Sequence, residues 1–181
     1  MKSGIGNLES LILSVSRYRH PTIHHGIEVR GDVDFERRTD EALSLLRPLR
    51  QFAIIRQNLA VIRQARRSGM KAWLAKPTFM VGRPTWSHSA LWYASAIAHD
   101  AYHSKLYRDA HKRGGGQAPR IGTWTGMEAE KKCLSFQRRV LIALDADAKL
   151  IDYVARCAEN PSYQGRNHGP ASWLDYLKRR W

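Results

Sequence analysis

His99 and His103 stand four residues apart in the stretch Leu91–Tyr107, which holds no Gly or Pro and is rich in Ala and Leu. Such a composition favours a helix. On a helix that spacing puts both imidazoles on one face, one turn apart, near enough to share a metal ion. Asp100 follows the first His directly. A further carboxylate, Glu130, lines up with Cys133, Leu134, Gln137 and Leu141 at steps of 3, 4, 7 and 11, on the apolar side of a second predicted helix. An ionised Glu on an apolar side is costly without a partner, and a metal ion is such a partner. Two His and one Glu leave the fourth position of a zinc ion open to water, which is the coordination of catalytic rather than structural zinc. The ion lowers the pKa of that water and polarises a bound carbonyl. A nearby carboxylate then takes the proton.

The segment His99-Asp100-Ala101-Tyr102-His103 resembles the H-E-x-x-H helix of zincin metallopeptidases. Glu130-Lys131-Lys132-Cys133-Leu134-Ser135-Phe136-Gln137 resembles the second helix of gluzincin-like bacterial proteins, where a Glu is the third ligand and a small residue and Gln follow. The resemblance spans Lys71 to Leu144. It implies an α+β domain, mostly helical, with a small antiparallel sheet beside the active-site helix. It also implies zinc held by His99, His103 and Glu130, peptide-bond hydrolysis, and Asp100 in the place of the family's catalytic Glu. That Asp is one methylene shorter, and a misplacement of about 1 Å can cost on the order of 100-fold in rate. The Gly and Met turn of the metzincin branch is absent. Tyr102, Tyr153, Tyr163 and His168 all stay open as oxyanion partners.

Two other readings use the same residues. In an HD-type phosphohydrolase, His99-Asp100 would be adjacent ligands, with Asp145, Asp147 or Asp152 as the downstream Asp and an upstream His in addition. His88 lies 11 residues before His99 on the predicted helix, about 16 Å away and out of reach. Only His20, His24 and His25 in a basic loop remain upstream. The third reading is a non-catalytic basic module that binds nucleic acid or an acidic partner. No DNA- or RNA-reading motif is present.

The elements that must position the two histidines follow from periodicity. Residues 1–26 carry no clear pattern: Leu8–Val15 fits helix or strand, and Arg17–His25, with five basic or His residues and Pro21, reads as loop. Ile27-Glu28-Val29-Arg30 is a predicted strand, closed by Gly31-Asp32. Asp32 or Asp34 caps a helix from Phe35 to Leu46. Pro48 opens another helix, with Phe52, Ile55, Leu59 and Ile62 as its apolar stripe and Gly69 as its end. Lys71–Ala75 and Thr78–Gly82 form two strands broken at Lys76-Pro77. The His helix runs from an N-cap at Ser87 to Lys112 and stops at Gly114-Gly115-Gly116. Thr125 and Glu128 make a capping box for the next helix, which ends near Leu144. A helix over Ala148–Ala158, a polar loop over Tyr163–Gly169 and a short helix around Trp173, Leu174 and Leu177 complete the chain.

Composition bounds the partners. The 181 residues, 43% of them hydrophobic, suit a single domain over 1–181 with its own core. No run of 18 apolar residues occurs, so no membrane span is expected, and the apolar run at Leu11 is too short for a signal peptide. Cys133 and Cys157 fall in apolar helical patterns and read as free buried thiols, which favours the cytoplasm. Thirty Lys+Arg against sixteen Asp+Glu give +14. Such an excess favours an acidic protein or peptide substrate, or nucleic acid.

Overall fold

The computed structural model describes residues 21–159. The predicted Leu8–Val15 element, His20, the Tyr163–Gly169 loop with Tyr163 and His168, and the helix around Trp173 lie outside the described residues. The architecture is α+β, as expected. Five strands run in chain order as β1 (Thr22–His24), β2 (Ile27–Arg30), β3 (Val61–Ala65), β4 (Gly69–Lys71) and β5 (Thr78–Gly82). The helices are α1 (Val33–Leu46), α2 (Phe52–Asn58), α3 (Arg83–Trp86), α4 (Ala90–Arg113), α5 (Met127–Ala143) and α6 (Ala148–Glu159).

The sheet order is β1-β2-β3-β5-β4. It is mixed where an antiparallel sheet was expected. β2, β3 and β5 pair in parallel, and an antiparallel hairpin closes each edge. The helical segment α1–α2 carries the chain between parallel neighbours β2 and β3, which a tight hairpin cannot do. The outer strand β1 lies in the stretch read as loop.

The segment from Pro48 departs most from expectation. Its stripe of Phe52, Ile55, Leu59 and Ile62 suggested one long helix, but α2 ends at Asn58 and the second half is the central strand β3. Asn58 ends the helix with its own side chain, whose Nδ2 donates to the Ile54 carbonyl at 2.8 Å. Leu59 then turns extended, at φ −133° and ψ 118°. Val61 and Ile62 are both buried, so the run matched a helical stripe as well as it matched a strand.

Other boundaries moved less. Asp32, not Asp34, caps α1 by accepting from the Phe35 amide at 2.9 Å. The side chain of Gln64 clasps that cap from β3, accepting from the Asp32 amide and donating to its carboxylate. The N-cap of α4 is Ser89, two residues past Ser87, which closes the short α3 instead. β4 is Gly69–Lys71, and Trp73 and Leu74 sit in the exposed turn beyond it. Thr125 does not cap α5: Gly126 holds that position, and Thr125 Oγ1 donates to the Ile121 carbonyl at 2.7 Å. The expected capping box is therefore absent, and Glu128 pairs with Lys131 on the surface.

The core forms where the sheet meets α1 and α4. Phe35, Leu43, Ile62, Phe79 and Ile97 are fully buried in it. Tyr93 joins α4 to α1 through a buried 2.8 Å hydrogen bond between its hydroxyl and Thr39 Oγ1. Gly31 lets α1 start close to β2. A Cβ there would lie 2.9 Å from Phe35 Cγ and 3.1 Å from Gln64 Cβ. Gly31→Ala is expected to destabilise by about 1–3 kcal/mol through overpacking, read as a lower urea midpoint at unchanged slope.

Candidate metal centre

α4 and α5 lie antiparallel. Ser95 meets Gln137 near one end of the pair, and His103 meets Glu130 near the other. The residues that pack against the sheet, Tyr93, Ala94, Ile97, Ala98 and Ala101, lie on one side of α4, and His99 and His103 lie on the other, towards α5. On α5 the inward row holds Glu130, Cys133, Leu134, Gln137 and Leu141, all buried. The spacing read from the sequence therefore brings the three side chains together.

His103 Nε2 lies 3.1 Å from His99 Nε2 and 3.1 Å from Glu130 Oε2, and His99 Nε2 lies 3.3 Å from Glu130 Oε1. One ligand atom from each residue falls within 4.8 Å of the others, a group that could hold a metal ion. The three side chains keep only 14%, 12% and 4% of their surface for His99, His103 and Glu130. Four ligands at about 2.0–2.1 Å in a tetrahedron stand roughly 3.3–3.4 Å apart; the two Nε2 atoms are close to that separation, and each meets a different oxygen of the Glu130 carboxylate.

Hydrogen bonds around the group set its protonation. His103 Nδ1 lies 2.7 Å from the Trp124 carbonyl. A carbonyl only accepts, so Nδ1 carries the proton and donates. In the neutral ring, Nε2 then offers a lone pair to the group, the usual outer-shell arrangement for a metal-binding histidine. No sequence signal could reveal this partner, because it is a main-chain atom delivered by the turn before α5. His99 has no such support among the described residues: its Nδ1 is buried without a hydrogen-bond partner.

Cys133 is buried on the same inward row of α5 as Glu130. Burial pushes its pKa up, so it stands as a neutral thiol, outside the three-residue group. Asp100 lies about a sixth of a turn from His103 in projection. It is half-buried and near enough to feel the charges of His99, His103 and Glu130, but it is not one of the group.

Burial works against a charged His103, but its hydrogen bond to the Glu130 carboxylate favours that charge, and its pKa is raised above the ordinary 6.5. Burial also raises Asp100 above its ordinary 3.8, against the pull of the two histidines. Both groups bind their protons more tightly when folded than when unfolded. That stabilisation is complete below the unfolded values and drains as pH rises, from 3.8 for Asp100 and from 6.5 for His103. Metal-stripped protein is expected to show a lower urea midpoint at pH 9 than at pH 6, and Glu130→Gln is expected to flatten that difference.

The other predicted participants are engaged elsewhere. His24 bonds Asp40 and Thr22, and His25 bonds Ser44, so both face α1. Asp147 accepts from the Lys149 amide at the start of α6. Tyr102 stacks on Phe136, and Tyr153 packs on Trp92. The clefts lined by Lys131 and Arg138, by Pro48 and Ile142, and by Glu28 and Lys76 lie on other faces. No described helix is long and apolar enough to cross a membrane. No family model, no curated protein and no solved structure matches this chain.

Proposed function

We propose that His99, His103 and Glu130 bind a zinc ion and that the protein is a gluzincin-like hydrolase of peptide bonds. The observation that carries this reading is the set of three contacts, with edges of 3.1, 3.1 and 3.3 Å, among the two Nε2 atoms and the two oxygens of the Glu130 carboxylate. Protons satisfy it poorly. If each Nε2 donates to Glu130, two N–H groups face each other across the third edge. A single cation at the centre satisfies all three edges together, and the donor set of two imidazoles and one carboxylate suits zinc.

When bound, the ion supplies a Lewis acid and an activated water. Trp124 fixes the His103 tautomer through its carbonyl. With the ion bound, Asp100 would be the acceptor for the water's proton, and its shorter side chain would make turnover slow. The +14 charge favours an acidic polypeptide as substrate. Two free thiols, Cys133 and Cys157, support a reducing, cytoplasmic setting.

The HD-type alternative requires Asp100 as a ligand and Glu130 apart from the site. The geometry has Glu130 against both histidines and Asp100 outside the group, which favours the gluzincin-like reading. The test is hydrolysis of an acidic fluorogenic peptide library by zinc-loaded protein. Cleavage that a chelator abolishes, and that Asp100→Ala abolishes with zinc retained, is the expected result. Bound zinc without cleavage of any peptide would reduce the proposal to a metal-binding protein.

A further inference from the structure

The outer face of α5 holds a second built feature, separate from the histidines. A cleft of about 430 Å³ runs along it, walled by Tyr102 of α4 and lined by Lys131, Lys132, Ser135, Arg138 and Arg139. Glu128 at one end is the only carboxylate in the lining, and it pairs with Lys131. Four cations against one carboxylate leave the cleft three positive charges in excess.

The sequence places these groups at regular intervals. Lys131-Lys132 and Arg138-Arg139 are two adjacent pairs seven residues apart, so two turns, or about 10.5 Å, separate them along the helix. Ser135 stands between the pairs, and its small side chain leaves the floor open. The Arg139 guanidinium rests over the Phe136 ring at 5.6 Å. A second cleft shares Arg139 and continues to Arg50, between α1 and α2. The cations therefore form a line rather than a single spot.

We infer that this groove binds the phosphodiester backbone of a single-stranded nucleic acid. Its row of cations matches a linear polyanion with one charge per unit. The first cleft offers Lys and Arg with hydroxyls from Ser135 and Tyr102, the groups that contact phosphate and sugar. It contains no apolar pocket to select the side chain of a peptide. Phe136 stacks on one face of the Tyr102 ring and the Lys105 ammonium lies 5.9 Å from its centroid, so the ring is already engaged and Tyr102 contributes its hydroxyl. Recognition is accordingly by backbone charge and independent of sequence. The inference does not rest on the metal reading.

The test is fluorescence anisotropy of a labelled 20-nucleotide DNA with the full chain, in EDTA, across a salt series. Removing Lys132, Arg138 and Arg139 together as Gln is expected to weaken binding about 10-fold or more. It should also lower the slope of log affinity against log salt by about 2, at roughly 0.7 per phosphate contact. Arg63, Arg66 and Arg67 changed to Gln remove the same charge from β3 and the turn after it, and should cost less than about 3-fold. All six positions are on the surface, and circular dichroism checks that both variants fold. Equal losses from the two variants would overturn the inference by making the binding a property of total charge. Displacement of the DNA by polyglutamate of equal charge would overturn it in favour of an acidic protein partner.

Discussion

Glu130→Ala is expected to strip the metal from this protein. Wild-type protein, purified and dialysed without chelator, should hold about one equivalent by elemental analysis, and the variant less than a tenth of that. The substitution removes the donor that touches both histidines, at 3.1 and 3.3 Å, and leaves two neutral imidazoles with no charge to offset a dication. Loss of an outer-shell partner alone costs 10–100-fold in affinity, so loss of a ligand should cost at least about 100-fold. Two further variants sharpen the result. Glu128→Ala, two residues away and on the surface, should keep the metal. Asp100→Ala should also keep it, because Asp100 lies outside the donor group. Full metal in Glu130→Ala, with loss in Asp100→Ala, would reverse the assignment and restore the HD-type arrangement.

Ile62→Ala should be among the most destabilising single changes in the fold. Ile62 is fully buried in β3, where its backbone sits between Val29 and Phe79 on the neighbouring parallel strands. Truncation there removes buried methyl groups and leaves a cavity between the sheet and the helices packed on it. The expected cost is about 2–5 kcal/mol, a fall of about 4–20 °C in Tm at roughly 2–4 °C per kcal/mol. Arg63→Ala, one residue on, should change stability by no more than about 0.5 kcal/mol, because Arg63 is exposed. Comparable costs at the two positions would argue against the placement of β3.

The sequence by itself determined the local parts of this protein. The α4 helix followed from a stretch rich in Ala and Leu without Gly or Pro, and its end followed from Gly114-Gly115-Gly116. His99 and His103 had to share a face, because a spacing of four is fixed by the helix itself. Glu130 could be placed on an inward row by the same periodicity. These are short-range properties, set within a few turns of one chain segment.

Tertiary structure decided the rest. Periodicity cannot tell which turn of α5 stands opposite which turn of α4, and only the packed pair brings Glu130 to the two imidazoles. The parallel pairing of β2, β3 and β5 joins segments far apart in the chain, and it turned Val61–Ala65 from a predicted helix into the sheet's centre. Ile55, Leu59 and Ile62 are spaced as a helical stripe, and the adjacent apolar pair Val61-Ile62 does not alternate, so the sequence carried no mark to separate the two. The proton on His103 Nδ1 is set by the Trp124 carbonyl, a group every residue has and no side chain advertises. The histidine pair was thus legible in the sequence. The donor triangle was not, because its edges depend on how two helices settle against each other.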